Sequence, residues 1–157
     1  MAITPKFNVA ALEAALREKI RKIELVTVNF LTRAGENFVR NARQNATFQD
    51  RTGNLRNSIG FVIFKDGRNI AQDFNAEITA DTILAPAGIG AAVGTVLANR
   101  IASEFGSGLV LVVVAGMEYA AAVESMGFDV LTSSSLLAVD ELKHAMEFIN
   151  AEIPKMK

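Results

Sequence analysis

Few residues of this chain have the types and spacing that catalysis or metal binding requires. The only histidine, His144, lies beside Lys143 in a C-terminal segment of helical periodicity, and one imidazole cannot build a metal site of the usual kind. Ser133, Ser134 and Ser135 have no base at a recognisable spacing, so helix capping explains them better than nucleophilic catalysis does. These residues predict no catalytic, cofactor-binding or metal-binding site.

Two other patterns are weak signals for chemistry. Glu118 and Glu124 are too far apart to act as a carboxylate pair unless the fold brings them together. The glycines at Gly88, Gly90 and Gly94 lack the spacing and the Lys-Ser/Thr pair of a phosphate-binding loop. The basic residues are not interleaved with aromatic ones, so sequence-specific nucleic-acid binding is not expected. A small cytoplasmic enzyme or nucleotide-binding domain is therefore a weak alternative.

The composition indicates one folded domain of 157 residues. Half of the residues are apolar and 21% are charged, which allows an ordinary core, and the lack of cysteine excludes disulfides and thiolate metal sites. The N-terminus has no apolar run typical of a signal peptide. Residues 1–57 carry a net charge of +5 and residues 58–157 a net charge of −6. This division fits either a solvated basic helix or charge complementarity between neighbouring copies, of the kind that can close a ring.

The first predicted element of the chain is a long helix. From Asn8, the predicted N-cap, to Ala46, apolar residues recur at spacings of three and four. Such a helix is about 57 Å long, whereas a compact domain of this size is about 40 Å across. The helix must therefore kink, for which Gly35 is the candidate, or overhang the domain and pack on something else. A second apolar stripe is available for that purpose: Leu25, Val28, Leu31 and Val39.

The middle of the chain predicts a small sheet. Residues 58–65 are β-branched and aromatic, and Asp66-Gly67 predicts a hairpin with a return strand over residues 68–78 that has Ile70, Gln72 and Phe74 on one face. Residues 109–115 are apolar on both faces, which is typical of a central strand covered on both sides. The intervening residues 79–107 indicate an insertion with a short helix over residues 93–105. Its uncharged stretch, residues 83–98, is too short and too rich in Gly and Ala for a membrane span. Within it, Gly90 and Gly94 would permit close helix contact.

The C-terminal part predicts two helices. Residues 119–126 form a short helix ended by Gly127, and residues 128–131 are extended, as in an edge strand. Residues 132–135 supply a loop and an N-cap for an amphipathic helix over residues 136–153, stopped by Pro154. The expected fold is α+β: a long N-terminal helix and a C-terminal helix pack on a small, mainly antiparallel sheet of three to four strands, with an apolar helical insertion before the central strand. The single domain divides into residues 1–46, 47–78, 79–107 and 108–157.

Two segments carry a family resemblance. Residues 50–59, Asp-Arg-Thr-Gly-Asn-Leu-Arg-Asn-Ser-Ile, follow the long helix, and residues 119–127, Tyr-Ala-Ala-Ala-Val-Glu-Ser-Met-Gly, follow the apolar strand. In this order they resemble the tail-completion (neck, or head–tail joining) proteins of long-tailed phages and prophages. In that family TGxLRxSI precedes a strand pair and YAxxVExG follows the third strand. This chain has one extra residue, Met126, before the glycine, and residues 79–107 lie outside the resemblance.

The resemblance implies a virion protein that assembles in the host cytoplasm into an oligomeric ring at the head–tail junction. Its partners would be copies of itself and neighbouring connector and tail proteins, without catalysis, cofactor or membrane. A tail terminator or another minor tail component is the alternative. We expect Arg56 to pair with Glu124, within the chain or between subunits. The structural and interface candidates are Thr52, Gly53, Asn54, Leu55, Arg56, Ser58, Tyr119, Val123, Glu124 and Gly127.

Overall fold

The computed structural model describes residues 8–49, 51–75 and 89–155. Asp50, the predicted end of the second strand at residues 76–78 and residues 79–88 of the predicted insertion lie outside these ranges. The elements, in chain order, are α1 (Val9–Gln44), α2 (Asn54–Asn57), β1 (Ile59–Lys65), β2 (Arg68–Asp73), α3 (Ile89–Ala102), β3 (Leu109–Ala115), α4 (Ala120–Ser125), α5 (Thr132–Glu152) and a final 3₁₀ turn (Ile153–Lys155). The predicted α+β class is confirmed, because α1 and α5 pack on a three-stranded antiparallel sheet and α3 precedes β3.

Helix α1 is one continuous element of 36 residues, about 54 Å long. Asn8 is its N-cap as predicted, since its side-chain oxygen accepts from the backbone N–H of Ala11 at 3.3 Å. The helix continues through Gly35, which is buried against the ring of Phe61. Full burial along α1 begins only at Ala34 and residues 9–22 are all exposed, so the N-terminal part of the helix overhangs the domain. The sequence predicts either a kink at Gly35 or an overhang beyond the domain, and the structure shows the overhang.

The sheet has the strand order β2-β1-β3, and both pairs are antiparallel. Asp66 (φ 48°) and Gly67 (φ 76°) form the predicted two-residue hairpin turn in the left-handed conformation that it requires. The prediction that residues 109–115 form the central strand is wrong, because β1 lies in the middle and β3 at an edge of the described sheet. Both β1 and β3 are apolar on both faces. Such a pattern indicates that helices cover both faces of a strand, but it does not indicate which strands lie beside it in the sheet.

The two faces of the sheet are covered by different helices. Residues from α1, β1, α5 and the segments that adjoin them form one core cluster, whose largest fully buried side chains are Phe38, Phe61, Ile59, Ile63 and Val130. Helix α3 covers the other face, where Ala98 and Ala102 pack with Val62, Phe64, Val112 and Val114. The close contact predicted from Gly90 and Gly94 is confirmed: a Cβ on Gly90 would lie 2.1 Å from the carbonyl oxygen of Asn54, and one on Gly94 would lie 2.4 Å from that of Ser58.

A β-bulge explains why Ile70 does not share the face that the sequence predicts for it with Gln72 and Phe74. Ile63 pairs with Ala71 but Phe64 pairs with Asn69, so the register shifts and Ile70 has no opposite residue. Ala71 packs against the core, whereas Ile70 is 43% exposed. A period-two pattern cannot reveal an extra residue in one strand.

The segment before α5 also differs from the prediction. Residues 128–131 form no strand, and α5 begins at Thr132, four residues earlier than expected. Ser133, Ser134 and Ser135 therefore lie in its first turn and do not form a loop before it. Across the described ranges, no helix is both long and apolar enough to cross a membrane.

Candidate assembly surface and the segments that support it

The turn after α1 contains the first motif. Gly53, just before α2, has φ 72°. Glycine adopts this left-handed conformation without strain because it has no Cβ. The Thr52 hydroxyl accepts weakly from the N–H of Asn54 at 3.4 Å, and the Asn57 N–H donates to the carbonyl of Gly53 at 2.9 Å. Leu55 is buried in the core. These contacts turn the chain from α1 into β1.

Ser58 joins the two motif-bearing regions. Its buried hydroxyl donates to the carbonyl of Leu55 at 2.7 Å and accepts from the backbone N–H of Met117 at 3.3 Å. Its own carbonyl accepts from the N–H of Gly116 at 3.1 Å. The turn after α1 and the chain that leads into Tyr119 are therefore held together at one point. The motif contains Ser58, but the sequence gives no signal for this distant partner.

Glu124 caps α5 from outside the helix. Its carboxylate accepts from the backbone N–H groups of Val130, Leu131 and Thr132, each at 3.1 Å, and from the Thr132 hydroxyl. Burial alone would raise the pKa of the Glu124 carboxyl, but the Thr132 hydroxyl and the three N–H groups outweigh it and lower that pKa below its ordinary value. A carboxylate here also interacts favourably with the helix dipole. Sequence reasoning assigned this capping role to the serine run.

The predicted pairing of Arg56 with Glu124 within the chain is wrong. Arg56 lines a polar cleft with Glu36, Arg40 and Asp73, whereas Glu124 lines a different, largely apolar cleft next to the start of α5. The oxygens of Glu124 are directed at the N-terminus of α5, which explains why they are not available to the arginine. Pairing of these two side chains between subunits stays a prediction.

Arg43 is a structural residue that the sequence analysis missed. It lies in the last turn of α1, is 6% exposed, and its Nη2 donates to the carbonyl of Ile59 at 2.9 Å. It thereby ties the end of α1 to the start of β1. A basic residue in the last turn of a helix is a common and favourable arrangement, so the sequence offered only a general signal.

Some residues of the second motif pack in the core, and others are exposed to solvent. Val123 packs against the core, and Gly127, with φ 89°, follows α4 as predicted. Tyr119 precedes α4 and is exposed, as are Met126 and Phe128 just after the helix. The two ends of α4 therefore present apolar side chains to solvent.

One unusual surface is the N-terminal part of α1, residues 9–22, here called the α1 arm. Every residue of the arm is exposed. Its apolar side chains nevertheless form one stripe at helical spacing: Val9, Leu12, Leu16 and Ile20, which are 49–62% exposed. Continuous exposed apolar surface of this kind usually marks an interaction site.

The remaining candidates for chemistry lie on the surface. His144 is exposed on α5, and its Nδ1 lies 3.7 Å from a carboxylate oxygen of Glu147. Within residues 8–49, 51–75 and 89–155, no three His, Asp or Glu side chains are grouped as a metal site would need.

Comparisons of the chain with protein-family models, with curated proteins and with solved structures gave no match. Any assignment of function depends on the residues and surfaces described above.

Proposed function

We propose that this chain is a structural protein of the phage head–tail junction, a tail-completion or neck protein, and that it acts as an oligomeric ring. The observation that carries the proposal is the α1 arm: a helix that extends beyond its own domain with an apolar stripe in solvent. Exposure of that stripe is costly, at roughly 25 cal/mol for each Å² of apolar surface that an assembly would bury. An overhanging helix of this kind is suited to contacts between subunits.

The arrangement of the two motif-bearing segments supports the same proposal. They lie in the order that the family resemblance requires, and Ser58 bonds one to the chain that leads into the other. Their buried residues, among them Leu55 and Val123, serve the core, while Tyr119 lies at the surface. The motifs thus act as a scaffold, and the function would follow from shape and charge complementarity without turnover.

A deletion in the phage or prophage that encodes the chain tests this function. Without a neck protein, DNA-filled heads and tails of normal length should accumulate separately, and expression of the chain from a plasmid should restore joined particles. Overlong tails would indicate a tail terminator, because a terminator limits the growth of the tail tube. Normal infectious particles from the deletion strain would overturn both assignments.

The α1 arm can be tested in the same assay. Leu12→Ser combined with Leu16→Ser removes apolar surface from exposed positions, so the folded protomer should be retained while complementation is lost. The matched control is Val96→Ser, on an exposed apolar residue of α3. Full complementation by the arm variant would mean that the arm does not carry the function.

A further inference from the structure

Helix α5 has an apolar stripe beside the face that packs on α1, and three of the five residues in the stripe are exposed. Its inner face, with Ala138 and Ala145, is buried. On the neighbouring flank, apolar residues recur at spacings of three, four, three and four, the pattern of a coiled-coil seam. This α5 stripe consists of Val139, Leu142, Met146, Ile149 and, just after the helix, Ile153. Val139, Met146 and Ile153 are 48%, 64% and 38% exposed.

The α1 arm has a matching pattern and the opposite charge. Its stripe continues into Ile23 with spacings of three, four, four and three. The arm contains four basic and two acidic residues, whereas α5 contains four acidic residues and one basic residue. Arm against arm would bring together two net charges of +2, and α5 against α5 two of −3. Only the mixed pairing combines apolar contact with electrostatic attraction.

The arm cannot reach the α5 stripe of its own chain. Helix α5 runs antiparallel to α1, since Asn37 bonds to Glu141 and the rings of Phe30 and Phe148 lie 5.7 Å apart. Continued at the same spacing, this pairing brings Glu152, the last residue of α5, level with about residue 26 of α1. The arm begins where α5 ends, and α1 is continuous, so the arm points away from it.

We propose that the α1 arm of one copy docks on the α5 stripe of the next copy. This inference rests on the proposed assembly into a ring and names its contact. The two surfaces are different, so the contact is heterologous, and repetition by rotation closes it into a ring. The arm would supply apolar side chains to the seam, while the net charges of the two helices, +2 on the arm and −3 on α5, attract each other.

Disulfide trapping tests the contact directly, because the chain has no cysteine of its own. A mixture of Leu16→Cys and Met146→Cys proteins, oxidised gently, should give a cross-linked dimer that contains one of each. Neither variant alone should cross-link comparably, and Leu16→Cys mixed with Val96→Cys is the matched control. Efficient cross-linking of Leu16→Cys with itself would indicate an arm-to-arm contact and overturn the proposal, as would equal cross-linking to Val96→Cys.

Complementation between two damaged copies tests whether the contact is heterologous. Leu12→Ser/Leu16→Ser removes the arm's stripe, and Val139→Ser/Met146→Ser removes the α5 stripe, so neither protein should assemble alone. Their mixture retains one intact contact and should stop at heterodimers in light scattering, provided that circular dichroism shows both variants folded. If the Val139→Ser/Met146→Ser variant forms unchanged rings, the contact between the arm and α5 is overturned. The neck function is tested separately, by the deletion experiment. Monomeric wild-type protein with no cross-linking in the mixture would also overturn it.

Discussion

Three polar side chains fix the irregular segments of this fold by binding backbone groups. Arg43 donates to the carbonyl of Ile59, Ser58 binds the carbonyl of Leu55 and the N–H of Met117, and Glu124 accepts from the N–H groups that lead into α5. Backbone N–H and C=O groups in loops and at helix ends lack the regular hydrogen bonds of helices and sheets, so side chains form hydrogen bonds with them instead. Replacement of these residues should therefore affect stability more than surface chemistry.

Glu124→Gln should destabilise the protein by about 1 kcal/mol at neutral pH, because it removes the charged cap of α5. The pKa of Glu124 is lowered in the folded state, so its contribution is complete above the ordinary glutamate pKa and is lost as pH falls through the lowered value. Urea unfolding from pH 7 to pH 3 should show the gap between wild type and variant narrowing with acid. The control is Glu118→Gln at an exposed position. A gap independent of pH would contradict this account of the cap.

Gly35→Ala should destabilise the fold although alanine is the better helix former. The added Cβ would lie 2.7 Å from Cγ of Phe61, a ring that is almost fully buried and cannot move aside. Overpacking of a core costs about 1–3 kcal/mol and exceeds the gain in helix propensity of about 1 kcal/mol. Thermal unfolding should give a lower midpoint for Gly35→Ala than for the wild type. The same substitution should lower the midpoint less in a protein that already carries Phe61→Leu. Gly106→Ala, whose Cβ would meet nothing within 4 Å, is the control.

At the scale of elements, each helix is defined by what its faces contact. Helix α3 covers one side of the sheet closely because Gly90, Gly94, Ala98 and Ala102 recur on its buried face. Helix α5 covers α1 with one face and leaves an apolar flank in solvent. Helix α1 is buried only over its C-terminal part and extends beyond the sheet. The proposed assembly depends on these exposed parts of α1 and α5.

Ser58→Ala should weaken the connection between the first turn and the β3–α4 junction. The substitution removes the hydroxyl that accepts from Met117 and donates to Leu55 at a fully buried position. A buried polar group that loses its bond costs about 1–3 kcal/mol. Urea unfolding should show a loss in that range, and hydrogen exchange should quicken at Met117. Ser125→Ala, which removes a similar bond to Ala122 at an exposed position, should cost much less.

At the scale of the whole molecule, charge is divided along the chain. Residues 1–57 have a net charge of +5 and residues 58–157 a net charge of −6, although the total is only −1. The basic α1 arm extends from the fold, whereas the acidic α5 is part of its body. A nearly neutral molecule of this kind can attract its own copies without a large net repulsion.

Assembly should therefore depend on salt. Raising NaCl from about 0.05 M to about 0.5 M shortens the screening length to a few ångströms and should weaken association between exposed charges. Light scattering across protein concentration should show a higher dissociation constant in high salt, while the unfolding midpoint changes little. The variant Arg17→Gln/Arg21→Gln should lose much of this dependence. Assembly that strengthens steadily with salt would indicate a contact dominated by apolar burial.

Local physics made much of the fold predictable. Asn8 as an N-cap, the Asp66-Gly67 turn and Gly127 after the short helix each depend on the conformational preferences of a few adjacent residues. The overhang of α1 also followed, as one of two possibilities, from helix length compared with domain size. The glycine pair of α3 correctly indicated a close contact without naming its partner.

Only the tertiary structure decided which distant residues meet. Periodicity tells which face of an element is apolar, but it does not tell which strand lies in the middle, and β1 rather than β3 has that place. Likewise, Arg56 and Glu124 have complementary chemistry, yet the fold places them in separate clefts and directs Glu124 to the start of α5. Ser58 and Met117 meet across 59 positions of sequence. Such pairings are set by how α1, the sheet and α5 pack together, and no local pattern in the sequence records them.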